Sequence, residues 1–185
     1  MAISGDNTIR GPFGVEKPIT SDNVGTVAAG NTVVEYGDGT HHQSVITVDT
    51  TLGAIAGGAE LSLGKLVYTF PDGALDVKST YMSMALTQSE GNITDDTPDV
   101  GIGTTVAAGV NNEISDTGSA ENMLTGQTAD DCDGTAEVKH LATSLVIATG
   151  GDHTVYFNVA DDWAASGDEA CAITGTIIIE WTFVV

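Results

Sequence analysis

Ile173, Gly175, Ile177, Ile179, Trp181 and Phe183 alternate with Thr174, Thr176, Ile178, Glu180, Thr182 and Val184. Successive side chains of an extended chain point to opposite faces, so this run predicts a strand with one apolar face and one mostly polar face. Its β-branched and aromatic residues suit a half-buried pleated surface. The strand continues almost to the last residue, which is expected to tie the C-terminus into a sheet.

The same period of two recurs upstream. Val155, Phe157 and Val159 alternate with Thr154, Tyr156 and Asn158. Between positions 76 and 86, Lys78, Thr80, Met82, Met84 and Leu86 are expected on one face, with Val77, Ser79, Tyr81, Ser83 and Ala85 on the other. Residues 66–70 read as a strand just before it, and Pro71-Asp72-Gly73 as the connecting turn. Further strands are expected at 32–36, 43–48, 100–104 and 144–148. About eight strands at this spacing predict an all-β fold. The expected architecture is an antiparallel, jelly-roll-like β-sandwich over residues 25–185, with an extended N-terminal arm over residues 1–24.

Helical signals are weak. Residues 160–165 and 121–124 are each expected to form at most a single turn. The 23 glycines fit a chain with many connections. The stretch 105–139 reads as one long polar connection, of a kind that usually carries function or meets a partner.

Charge excludes several function classes. The 185 residues hold 26 acidic and 5 basic side chains, a formal net charge of −21. A nucleic-acid binder needs clustered Lys and Arg to displace counterions from phosphates. The basic residues here, Arg10, Lys17, Lys65, Lys78 and Lys139, are scattered. An anionic membrane surface would repel the chain for the same reason. The acidity is expected to serve solubility. A hydrophobic fraction of 41% is enough for a packed core.

Residues 1–24 read differently from the rest. They contain Gly5, Gly11, Pro12, Gly14 and Pro18 and show no periodicity. Two basic residues, Arg10 and Lys17, stand against Asp6, Glu16 and Asp22, a net of −1, which leaves −20 on the other 161 residues. Such a segment is either a docking arm, with Arg10, Phe13 and Lys17 as contacts, or a terminus without fixed structure. The first residues carry no basic-then-apolar leader, so the chain is expected to stay where it is made unless it leaves inside a particle.

No catalytic set can be assembled. There is no G-x-S-x-G elbow and no phosphate-cradling glycine loop. His153 follows Asp152, but no nucleophile is identifiable beside them. His41 and His42 are neighbours on a strand and should point to opposite faces, which disfavours a shared metal. They are expected to be solvent-facing imidazoles after a polar Gly37-Asp38-Gly39-Thr40 hairpin. Asp130, Asp131 and Asp133, and separately Asp95, Asp96 and Asp99, are the candidates for oxygen ligands to Ca²⁺, without EF-hand spacing. Solvated turns are the favoured explanation of both clusters. Cys132 and Cys171 fit no zinc pattern, and either a disulfide or two buried thiols is compatible with their spacing. Aromatic residues make up 5% of the chain, which disfavours a sugar-stacking groove. The expectation is a non-enzymatic protein with no cofactor.

Several segments, taken in order, resemble small virion proteins of marine tailed bacteriophages. They are Tyr36-Gly37-Asp38-Gly39-Thr40-His41-His42-Gln43, then Tyr68-Thr69-Phe70-Pro71-Asp72-Gly73-Ala74 and the strand through Tyr81-Met82-Ser83. Asp99-Val100-Gly101-Ile102-Gly103, Asp133-Gly134-Thr135-Ala136-Glu137 and His153-Thr154-Val155-Tyr156-Phe157-Asn158-Val159-Ala160-Asp161 complete the series. The resemblance implies a capsid decoration or cement protein, made in the host cytoplasm and placed on the capsid exterior. It implies the major capsid protein and further copies of the chain, as a homotrimer, for partners. A receptor- or glycan-binding module at a tail or spike is the alternative role.

Overall fold

A sheet with one apolar face must bury that face against another layer. This chain does so with a second sheet. The computed structural model describes residues 24–37, 41–55, 62–107, 114, 118–129, 132–160 and 163–184. Among them twelve strands and no α-helix occur. The first six are β1 (Thr26–Val27), β2 (Thr32–Gly37), β3 (His41–Thr51), β4 (Leu63–Thr69), β5 (Leu75–Gln88) and β6 (Ile93–Asp96). The others are β7 (Asp99–Gly103), β8 (Leu124–Thr128), β9 (Asp133–Ile147), β10 (Thr154–Ala160), β11 (Trp163–Ala165) and β12 (Cys171–Phe183).

One five-stranded sheet has the order β2-β3-β12-β5-β9, and the other β1-β4-β10-β7-β8. β6 and β11 form a small ribbon. Every pairing is antiparallel, so the fold is the expected β-sandwich. The C-terminal strand β12 lies in the middle of the larger sheet. Ile173, Ile177, Ile179 and Trp181 are buried on its inner face, as the alternation predicts. Val155, Phe157 and Val159 of β10 meet them from the opposite sheet within one core cluster.

The turn at Pro71-Asp72-Gly73 joins β4 to β5 across the two sheets rather than within one. Gly73 has φ +136, a conformation that side chains rarely adopt.

Several expectations need correction. In β5 the alternation breaks at a β-bulge between Val77 and Ser79. Val77 is therefore buried and Lys78 exposed, the reverse of the expected faces. The stretch read as one long connection holds β8 and half of β9. Residues 163–165 form a strand with β6, and Glu121 to Met123 form a turn that runs into β8. Strand 144–148 is the end of a 15-residue strand. The expected arm falls, up to residue 23, outside the described residues.

Candidate interaction surface

Several of the described groups that could do chemistry are engaged inside the molecule. On β2, Glu35 shares the inner face with Val33, so its carboxylate enters the sandwich. Its Oε2 accepts the Ser44 hydroxyl at 2.8 Å, and its Oε1 accepts the Tyr68 hydroxyl from the other sheet. Trp181 Nε1 donates to Ser44 Oγ at 2.9 Å. The Gly25 amide donates to the Tyr68 oxygen at 3.0 Å, which fastens the start of β1 to this network. Burial, then the Glu35 charge, push the Tyr68 hydroxyl far above the usual tyrosine range.

Glu169 is held more tightly still. Its carboxylate accepts the Ser89, Glu90, Asn92 and Ala170 amides at 2.8, 2.9, 2.9 and 2.9 Å and the Ser89 hydroxyl at 2.7 Å. Burial alone would raise its pKa. The amide of Asn92, the hydroxyl and amide of Ser89 and the amide of Glu90 outweigh that and hold it at about 2. This carboxylate lines a shallow pocket of about 270 Å³ with Ala54, Ile55, Glu90, Asp168 and Ala170. These donors commit the Glu169 side chain to holding the loop between β5 and β6.

Two of the four histidines follow the same pattern. His41 is exposed and His42 is buried, on opposite faces as predicted. His42 is not solvent-facing, however. It stacks on Trp181 with ring centroids 4.0 Å apart and meets Phe183 edge-on. His153 lies with both ring nitrogens 2.7 Å from carbonyl oxygens, of Gly151 and Gly73, so it links two loops.

Among the candidate metal residues, Asp133 opens β9 and its Oδ1 accepts the Thr135 amide at 2.8 Å. The Thr135 hydroxyl, and after it the Thr135 amide, hold its carboxyl below the usual range. Asp130 and Asp131 lie outside the described residues, as do Arg10, Phe13 and Lys17. Asp99 accepts the Thr128 hydroxyl at 2.7 Å. Among the described residues no group of three His, Cys, Asp or Glu side chains is placed to hold a metal ion.

Cys132 and Cys171 are brought together in the core as free thiols. They flank Gln88, whose amide donates to the Cys132 carbonyl and which pairs with Cys171. A hydrogen bond from the Cys132 thiol holds Cys171 below the ordinary thiol value, against the effect of burial.

The outer face of the larger sheet is different in kind. Register places Val34, Val45, Ile178, Tyr81 and His140 in one row across all five strands. Beside it, Thr32, Thr47, Thr176, Ser83 and Val138 form a second row. Neither row holds a carboxylate or an ammonium group, in a chain of net charge −21. Val34 is 40% exposed at one edge, and Val138 is 56% exposed at the other. Charge depletion with exposed apolar side chains is the mark of a contact surface. Alternation alone could have indicated this face, because Ile178 interrupts the polar side of β12.

No family model matches this chain, and no curated protein does. A solved structure described as a cyanophage Pam1 capsid asymmetric unit is similar over 90% of this chain and 98% of that one, at 18% identity and a TM-score of 0.43.

Proposed function

We propose that the chain is a non-enzymatic structural protein of a phage virion, and specifically a capsid decoration or cement protein. One observation carries the contact role. Glu35, Glu169, His42 and His153 are all committed to internal contacts that hold loops and sheets together, while two rows that cross the outer face of the larger sheet, through Ile178 and Thr176, carry no charge. A molecule built this way offers surface rather than chemistry. The virion setting is supported by the order of segments from Tyr36 to Asp161 that resembles small phage virion proteins.

In this reading the protein sits on the outside of the shell between capsomers and bridges neighbouring subunits of the major capsid protein. Repetition of modest contacts over many copies gives strong net binding. The segment 1–24, through Arg10, Phe13 and Lys17, reaches a neighbour. Removing residues 1–20 is expected to leave the sandwich folded and to weaken binding to emptied shells. Unchanged binding would remove the arm from the account.

Counting copies per particle by quantitative mass spectrometry tests the role itself. A cement protein is present in proportion to the major capsid protein. A receptor-binding module of a tail or spike is present at a small fraction of that level, and such a count would overturn the proposal.

A further inference from the structure

Two buried thiols meet at the end of the larger sheet where β5 finishes and β9 and β12 begin. We propose that Cys132 and Cys171 form a redox staple: oxidation by a small disulfide such as oxidised glutathione joins their sulfurs and fastens the edge strand β9 to the central strand β12. The staple is a property of the fold and does not depend on the proposed place in a particle.

The two cysteines stand on either side of Gln88. Cys171 pairs with it, and the Gln88 amide donates to the Cys132 carbonyl at 2.9 Å. In a flat sheet, positions two strands apart are separated by about 10 Å, and a disulfide needs its Cα atoms within about 7 Å. This end of the sheet is not flat. The β5–β9 register shifts between Ala85 and Thr87, Cys132 sits in a bend ahead of β9, and Gly134 has φ +97. Bulges of this kind bend the strand that carries them. Both sulfurs belong to one core cluster, and the Cys132 thiol hydrogen-bonds to that of Cys171. Closing a sulfur–sulfur contact to a bond takes a further approach on the order of 2 Å. The start of β9 is free to supply it, since residues 133–136 are exposed and the strand is paired on one side only.

The chemistry balances. One protein thiolate attacks the small disulfide, releases one small thiol and leaves a mixed disulfide. The other protein thiolate attacks the protein sulfur of that intermediate, forms the Cys132–Cys171 bond and expels the second small thiol. Two protein thiols give up two hydrogens and two electrons, and the oxidant carries them away as two thiols. The exchange takes place while the chain folds or when this end opens, because both side chains are buried in the closed fold. The same burial then shields the finished bond from reductants.

The full-length chain, equilibrated in mixtures of reduced and oxidised glutathione and measured by intact mass after acid quenching, tests this. The fraction two hydrogens lighter is read in native buffer and again in concentrated urea. A fold that presents the sulfurs to each other is expected to raise the closing equilibrium about a hundredfold or more over that in urea, and by the same cycle the oxidised chain is expected to unfold at higher urea than the reduced one. A native equilibrium no higher than that in urea, the result expected if β5 holds the sulfurs apart, overturns the proposal. Glutathione adducts or cross-linked pairs of chains in place of the internal bond overturn it as well.

Discussion

The Tyr68 hydroxyl of one sheet donates to the Glu35 carboxylate of the other, and Ser44, Trp181 and the Gly25 amide complete the network. Glu35 is 5% exposed and Tyr68 fully buried. A carboxylate in such a place depends on its donors, because an unsatisfied buried acceptor costs far more than a hydrogen bond gains.

Tyr68→Phe is therefore expected to destabilise the fold by about 1–3 kcal/mol, read from the urea midpoint. The raised Tyr68 pKa also has a pH signature. A hydroxyl that resists ionisation in the folded state contributes stability that is present below the unfolded value of about 10 and is lost as pH rises above it. The wild type should lose stability above that pH more steeply than Tyr68→Phe. Parallel alkaline limbs would contradict the network.

Glu169 gives the opposite sign. Its folded pKa of about 2 lies below the unfolded value, so its contribution is present above the ordinary glutamate range and disappears as pH falls toward 2. Melting temperature followed over that acid range should fall in the wild type. In Glu169→Gln it should start lower and fall less. An acid limb unchanged by the substitution would mean that the cage of amides does not stabilise the loop.

Gly175 has φ +147, and a Cβ placed on it would lie 2.1 Å from the Ser83 carbonyl oxygen. Both the dihedral and the neighbouring backbone oppose a side chain there. Gly175→Ala is expected to cost about 3 kcal/mol or more, which a thermal melt would show. Gly53 has open space around its Cβ position, and Gly53→Ala should change little. Equal effects at the two sites would contradict the packing of β12 on β5.

Cys132 and Cys171 are buried free thiols. A maleimide reagent should label neither in the native protein and both after denaturation. Native labelling would place at least one sulfur at the surface.

Much of the sandwich was legible because burial on one face leaves a period of two. β12 and the start of β10 alternate cleanly, as both lie inside their sheets with one face in the core. Most of β9, all but its last residues from 144 on, escaped for the opposite reason. It is an edge strand, exposed along Ala136, Val138, His140 and Ala142 and only partly covered on the other face, so little burial acts on its sequence. At Lys78 the bulge shifted the phase, and no local residue type announces a bulge there. β11 is three residues of an Ala-rich stretch whose form is set by pairing with β6, which overrides its weak helical preference. The buried polar groups were harder. Glu35 shares a face with Val33, which hints that it points inward, but its partners Tyr68 and Trp181 come from distant segments. The Glu169 cage is built from loop amides that carry no residue signature at all.

The central claim is that this sandwich works as a surface, fixed in many copies on a particle. A cryo-electron microscopy map of the virion tests it most directly. The account predicts density matching this fold at repeated positions on the outside of the shell, in contact with the major capsid protein. Density confined to the tail or its fibres, or a shell that lacks this fold altogether, would contradict it.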